Sequence, residues 1–196
     1  MNKTLAALCV LLLCIGFKSF SQNQPTPNRI RLGFLVKSNI NFLQADEPST
    51  DFKQDVGLAL GVVSVLNLNQ SLTLSLEPTL NFESHTLVDK STNATLQLKD
   101  QNLTIPLKLD IRLFKNFSLI NGIEYLMVQS KQKEEIKLIR DNFLVSVGVA
   151  YALKFKYFTA VPEVSYRVGL NNAIEKSALN SYEVKRRAVS IGVKIM

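Results

Sequence analysis

Between residues 103 and 113 the chain reads L-T-I-P-L-K-L-D-I-R-L. Leu103, Ile105, Leu107, Leu109, Ile111 and Leu113 alternate with Thr104, Pro106, Lys108, Asp110 and Arg112. A period of two is the side-chain period of a β-strand, so one face of this segment is hydrocarbon and the other carries a cation, an anion and a second cation. Two architectures accommodate such a strand. A soluble sandwich or barrel turns the charges to water. A membrane barrel turns the aliphatic side to lipid and the charges to its lumen.

The same alternation recurs along the chain. Residues 30–42 place Ile30, Leu32, Phe34, Val36, Ile40 and Phe42 on one face and Arg31, Gly33, Leu35, Lys37, Asn39 and Asn41 on the other. Residues 56–66 oppose Val56, Leu58, Leu60, Val62 and Leu66 to Gly57, Ala59 and Gly61. Residues 72–82 oppose a leucine face to Thr73, Ser75, Glu77, Thr79 and Asn81, with Glu83 following on the same side. Further strands are expected over 118–128, 143–153, 158–170 and 184–196. The early half of 118–128 alternates poorly and puts Asn121 on the apolar face, which predicts a β-bulge there. The expected total is about eight strands of roughly 10–13 residues, long enough to cross a bilayer at a tilt. The fold class expected is all-β: an eight-stranded antiparallel up-and-down transmembrane β-barrel.

Three features favour the membrane over water. The connections alternate in length, with tight turns expected at 67–70, 114–117 and 154–156, and long polar loops at 44–54, 84–95, 129–141 and 171–182. Outer-membrane barrels have short periplasmic turns and long external loops. The polar faces hold small residues together with charges of both signs: Arg31, Lys37, Glu77, Lys108, Asp110, Arg112, Glu124, Glu163 and Arg167. Inside a narrow barrel these form a candidate lumen charge network, because charges out of water need partners. A soluble lipocalin-like barrel would instead turn its apolar side inward around a ligand. Finally, Phe114, Phe117, Phe155, Tyr157 and Phe158 gather beside the tight turns, where an interfacial aromatic girdle belongs. Pro78, Pro106 and Pro162 fall inside strands, and each predicts a bulge or a carbonyl satisfied by water.

The N-terminus carries an export signal. Lys3 precedes an apolar run from Leu5 to Phe17 that is short for a membrane span, and Ser19-Phe20-Ser21 supplies small residues at a cleavage site. The expected organisation is a cleaved signal peptide over 1–21, a short periplasmic leader over 22–29 and the barrel over 30–196. Leu13 stands before Cys14 where a lipidation site would need a small residue. Both cysteines lie in the signal segment, so the exported chain would hold no thiol, disulfide or thiolate metal ligand. The formal net charge of +7 includes Lys3 and Lys18 and is otherwise spread along the chain, without the basic stripe and module of a nucleic-acid binder. The sole histidine, His85, falls in an expected loop, and no nucleophile elbow, zinc motif or phosphate loop is present. The reading is a non-catalytic barrel with no cofactor, no metal and no nucleic-acid partner.

Several segments in order carry a resemblance to a known family. They are Glu77-Pro78, Ile105-Pro106-Leu107, Asn121-Gly122, the run Tyr166-Arg167-Val168-Gly169-Leu170-Asn171 and a last strand containing Gly192. Together they resemble the PorT-like outer-membrane β-barrel family of Bacteroidetes, across nearly the whole exported chain. That resemblance implies an eight-stranded barrel in the outer membrane, with strand prolines at similar places. It implies no single activity, although its founding member is associated with secretion; the role expected here is structural or interactive, with a link to secretion or envelope assembly. The partners expected are outer-membrane lipid and an envelope or secretion-system protein, with a narrow pore for small solutes as the alternative. The chain departs from common barrel practice by ending Val193-Lys194-Ile195-Met196 rather than on an aromatic residue.

Overall fold

In the computed structural model the described residues are 30–45, 50–53, 55–89, 95–128, 141–171 and 184–196. The signal-peptide and leader assignments (1–21 and 22–29), the charged connection 129–140 and the loop after residue 171 lie outside them.

The strands are β1 (Ile30–Ala45), β2 (Thr50–Lys53), β3 (Asp55–Asn67), β4 (Leu72–Leu76), β5 (Thr79–Asp89), β6 (Thr95–Phe114), β7 (Phe117–Val128), β8 (Asn142–Tyr151), β9 (Leu153–Lys154), β10 (Thr159–Gly169) and β11 (Val184–Ile195). Three pairs, β2 with β3, β4 with β5 and β8 with β9, are the two halves of single interrupted staves, so the wall is eight-stranded. Every pairing is antiparallel, and β1 pairs with β3 on one side and β11 on the other, from Phe34 opposite Ile195 to Ala45 opposite Val184. The sheet therefore closes on itself and leaves no free edge around the ring.

The two faces are sorted by the pleat. Leu32, Phe34, Val36, Val56, Leu58, Leu60, Val62, Leu107, Ile123, Val145, Val147, Val164 and Ile191 all point outward and are exposed. Inward lie Lys37, Asn39, Ser75, Glu77, Asn81, Lys108, Glu124, Glu163, Ser165, Arg186, Ser190 and Lys194, all buried. An apolar exterior around a charged interior is the arrangement of a barrel dissolved in lipid, and it rules out the lipocalin-like alternative. A smaller apolar cluster of Ile120, Ala150 and Val161 packs inside one end of the barrel.

Two expectations about bulges are corrected. There is no bulge at Asn121: the ladders of β7 with β6 and with β8 run in constant register from Ser118 to Leu126, and the shift falls at Arg112/Phe114 beside the turn. The poor alternation there has another cause, namely that Ile120 is an apolar residue facing the lumen while Asn121 faces out. The prolines do not cause bulges either, since the registers of β6, β10 and the β4–β5 stave are unchanged on both sides of Pro106, Pro162 and Pro78. One missing bond is replaced: Glu77 N–H donates to the Pro106 carbonyl (3.0 Å), and the Glu77 carbonyl, which Pro106 cannot serve, accepts the Thr79 hydroxyl (2.8 Å).

The connections also differ. The polar stretches 44–54 and 84–95 are not simple loops, because β5 and β6 continue as a paired hairpin to Val88 opposite Thr95, and β2 pairs with β5 beside it. His85 is thus a strand residue opposite Leu98. Polar residues at both parities of these stretches blur the alternation that reveals a strand, although the ladder continues. At the other end Lys154 pairs with Thr159, and the turn falls at 155–158, one residue later than expected, with Phe155 N–H bonded to the Phe158 carbonyl at 2.9 Å.

Candidate functional site

The densest chemistry of the molecule lies on the barrel axis. Lys37 comes from β1, Lys108 from β6 and Lys194 from β11; Glu163 comes from β10, and Glu77 sits at the break between β4 and β5. The pleat aims all five inward. Lys37 Nζ lies 2.9 Å from Glu77 Oε2 and 2.8 Å from Glu163 Oε1. Lys108 Nζ makes the same two contacts at 2.8 and 3.0 Å. Lys194 Nζ reaches Glu77 Oε1 at 2.5 Å and Glu163 Oε2 at 2.9 Å. Three ammonium groups thus share two carboxylates, and Asp110 adds a third negative charge 3.9 Å from Lys194. Buried charges of this kind are tolerable only when each is paired and hydrogen-bonded.

Glycines make room for the lysine stems. Gly192 is in register with Lys37, and Gly122 with Lys108. A methyl group on Gly192 would meet Lys37 Cγ at 2.5 Å, and one on Gly122 would meet Lys108 Cγ at 2.8 Å. The lysines therefore lie flat over bare backbone before their ammonium groups turn to the axis.

A second polar layer lies next to the first. Arg167 Nε donates to Glu124 Oε2 at 2.8 Å, and Arg186 Nη1 stands 3.3 Å from Glu83 Oε2. Ser190 donates to Asn39 Oδ1 (2.6 Å), Asn39 to Asn81 Oδ1 (3.2 Å), and Asn81 to Thr104 Oγ1 (2.6 Å), which strings a chain of amides and hydroxyls across the lumen. A cavity of about 10 Å³ between Lys37, Asn81, Thr104, Glu124, Arg167 and Ser190 has room for about one water.

Of the nine lumen residues singled out in the sequence, Lys37, Glu77, Lys108 and Glu163 meet in the central cluster, Asp110 borders it, and Glu124 pairs with Arg167. Glu77 pairs with Lys108 and not with Arg112. Arg31 and Arg112 sit at the mouth beside the tight turns, and among the described residues no carboxylate lies within ion-pair distance of either. Three members were missed: Lys194, Arg186 and Glu83. Lys194 shares the inward parity of Gly192 and Ser190, which is the signal that could have found it.

The three tight turns share one end of the barrel with Ile30 and Met196, as the bonds from Arg112 N–H to the Ser71 carbonyl (2.7 Å), Ala152 N–H to the Asn116 carbonyl (2.8 Å) and Thr159 N–H to the Met196 carbonyl (2.7 Å) require. Aromatics mark this end: Phe114 stacks on Phe117 with centroids 5.1 Å apart, and Phe155 on Phe158 at 4.7 Å. Toward the other end Tyr125 packs on Phe143 at 5.0 Å.

A closed barrel with these faces has a counterpart among protein families: the model of the outer membrane protein beta-barrel domain matches residues 20–175. The chain belongs to that family. As an outer-membrane barrel, its tight-turn end is the periplasmic rim. Among solved structures it is similar to the outer membrane protein OprG from Pseudomonas aeruginosa, at 17% identity over 85% of this chain and 93% of that one, with a TM-score of 0.46. It is also similar to a de novo designed transmembrane β-barrel (8% identity, 83% of this chain and 94% of that one, TM-score 0.39). A third is a Pseudomonas aeruginosa FadL homologue (13% identity, 87% of this chain and 48% of that one, TM-score 0.35). No curated protein matches the sequence. Among the described residues of this outer-membrane barrel, no group of His, Cys, Asp and Glu side chains is arranged to hold a metal ion.

Proposed function

We propose that this outer-membrane barrel is a closed, non-conducting wall element with a structural or interaction role, serving secretion or envelope assembly in line with the secretion-associated founding member of the PorT-like family it resembles. One observation carries the reading: Lys37, Lys108, Lys194, Glu77 and Glu163 meet on the axis and fill it, contributed by staves from all around the ring. Narrow eight-stranded barrels are commonly filled by side chains in this way. No catalysis is proposed, because Glu77 and Glu163 are both engaged by ammonium groups and offer no free base or nucleophile. A partner would be met at the rims rather than in the lumen.

The second reading is a narrow pore for small solutes. It is favoured by the polar layer of Asn39, Asn81, Thr104 and Ser190 and by the cavity beside it. Planar-bilayer recording separates the two. The expected trace is silent for the wild-type protein; discrete conductance steps from purified, folded wild type would overturn the closed-lumen reading in favour of the pore.

A further inference from the structure

Two of the three periplasmic turns have the same sequence pattern and the same build. Phe114-Lys115-Asn116-Phe117 joins β6 to β7, and Phe155-Lys156-Tyr157-Phe158 joins β9 to β10. In each, the phenylalanines that flank the turn stack on one another, with interplanar angles of 10° and 21°. Each turn carries a lysine between its stacked rings, and Lys156 Nζ lies 5.1 Å from the centroid of Tyr157.

The turns are neighbours. Phe117 is in register with Tyr151, and Ala152 N–H bonds to the Asn116 carbonyl, so the first turn abuts the stave that leads into the second. Lys154 also stands at this rim, but it shares the inward parity of Ala150 and Ala152 and pairs with Thr159, so it belongs to the mouth of the lumen and not to the outer face. The result is one arc of the rim with Lys115 and Lys156 exposed at the turn tips beside exposed Phe114, Phe155, Tyr157 and Phe158. Residues 112–119 and 151–162, which build the arc, contain no Asp or Glu. The third turn at the same rim, Leu68, Asn69, Gln70 and Ser71, has neither charge nor aromatic ring. Cations and rings are therefore concentrated on one sector of the barrel rather than spread evenly around it.

A stacked phenyl pair held outside the fold is stable where the bilayer interface receives it, and a lysine beside it then stands at the depth of the headgroup phosphates. Two ammonium groups on one sector, with no Asp or Glu in either turn, attract an anion at the headgroup level. We infer that this arc is a binding site for an anionic phospholipid of the periplasmic leaflet, with the phosphate held by Lys115 and Lys156 and an acyl chain lying against the stacked phenylalanines. The inference rests on the membrane placement of the barrel and stands whether or not the lumen conducts.

The test is native mass spectrometry of the full-length folded protein exchanged from mixed micelles of phosphatidylglycerol and phosphatidylethanolamine. Wild type is expected to retain phosphatidylglycerol preferentially, by roughly tenfold or more. The double variant Lys115→Gln, Lys156→Gln should lose that preference, and the double arginine variant should keep it. Soluble glycerol phosphate should fail to displace the lipid, which separates a lipid site from a free-phosphate site; its displacing the lipid would overturn the acyl-chain half of the inference. Equal retention of both lipids by wild type, or undiminished preference in the folded glutamine variant, would overturn the site. Should the double variant not fold, wild-type selectivity and the single variant Lys156→Gln, expected to weaken retention, decide the matter in the same way.

Discussion

Leu107 and Lys108 are neighbours in the chain and occupy opposite worlds. The leucine is 40% exposed on the outer wall, while the lysine is 0% exposed at the axis. The two walls are built on different physics. Outside, each aliphatic residue acts alone: lipid surrounds it, and its neighbours matter little. Inside, Lys108 is tolerable only because Glu77 and Glu163 meet it at 2.8 and 3.0 Å. The outer wall is therefore a sum of independent residues and the inner wall a single network, so equivalent damage should have unequal consequences.

The strongest break of that contrast is Glu77→Ala. It leaves Lys37, Lys108 and Lys194 with Glu163 and the more distant Asp110, and removing one partner from a buried network costs about 3–5 kcal/mol. Urea unfolding in lipid vesicles, followed by heat-modifiable gel migration because the chain has no Trp, should show that loss. Leu107→Arg comes next, at about 2–4 kcal/mol for a cation placed toward mid-bilayer on the lipid side. Wild-type stability for that variant would mean that the two walls have been assigned the wrong way round. Arg112→Gln is the smallest: at the exposed mouth, where the described residues offer it no ion pair, the change should stay within about 0.5 kcal/mol by the same assay. A larger loss there would show that the network extends to the periplasmic mouth.

The outer wall was readable in the sequence almost residue by residue, because lipid imposes a period of two and nothing else. The ring order followed from alternating long and short connections. Legibility failed where that rule is relaxed. Ile120 faces the lumen and Asn121 the exterior, so the pattern suggested a bulge that the ladder does not contain. The continuation of β5 and β6 to Val88 and Thr95 is rich in polar residues at both parities, and Leu96 and Leu98 are too short an alternation to reveal it. In the lumen, parity could say that Glu77, Lys108 and Glu163 point inward, but the partner of each is set by closure and stagger of the ring. Lys194 is the plain case: its partners stand 117 and 31 residues earlier in the chain at Glu77 and Glu163, and only the closed barrel brings the three together.

The origin of the cations bears on how such a barrel is made. Lys37 belongs to the first strand and Lys194 to the last, the two that meet at the seam, whereas Glu77 and Glu163 lie on staves between them. In an open sheet Lys194 already stands next to Glu163, because β11 pairs with β10, and Lys108 next to Glu77, because β6 pairs with β4. Pairing of the first and last strands brings Lys37 to Glu163 and Lys194 to Glu77, so the step that closes the ring also joins two partial clusters into one network. Closure is thereby made cooperative, and the axial cluster acts as a latch that an incomplete barrel cannot fasten.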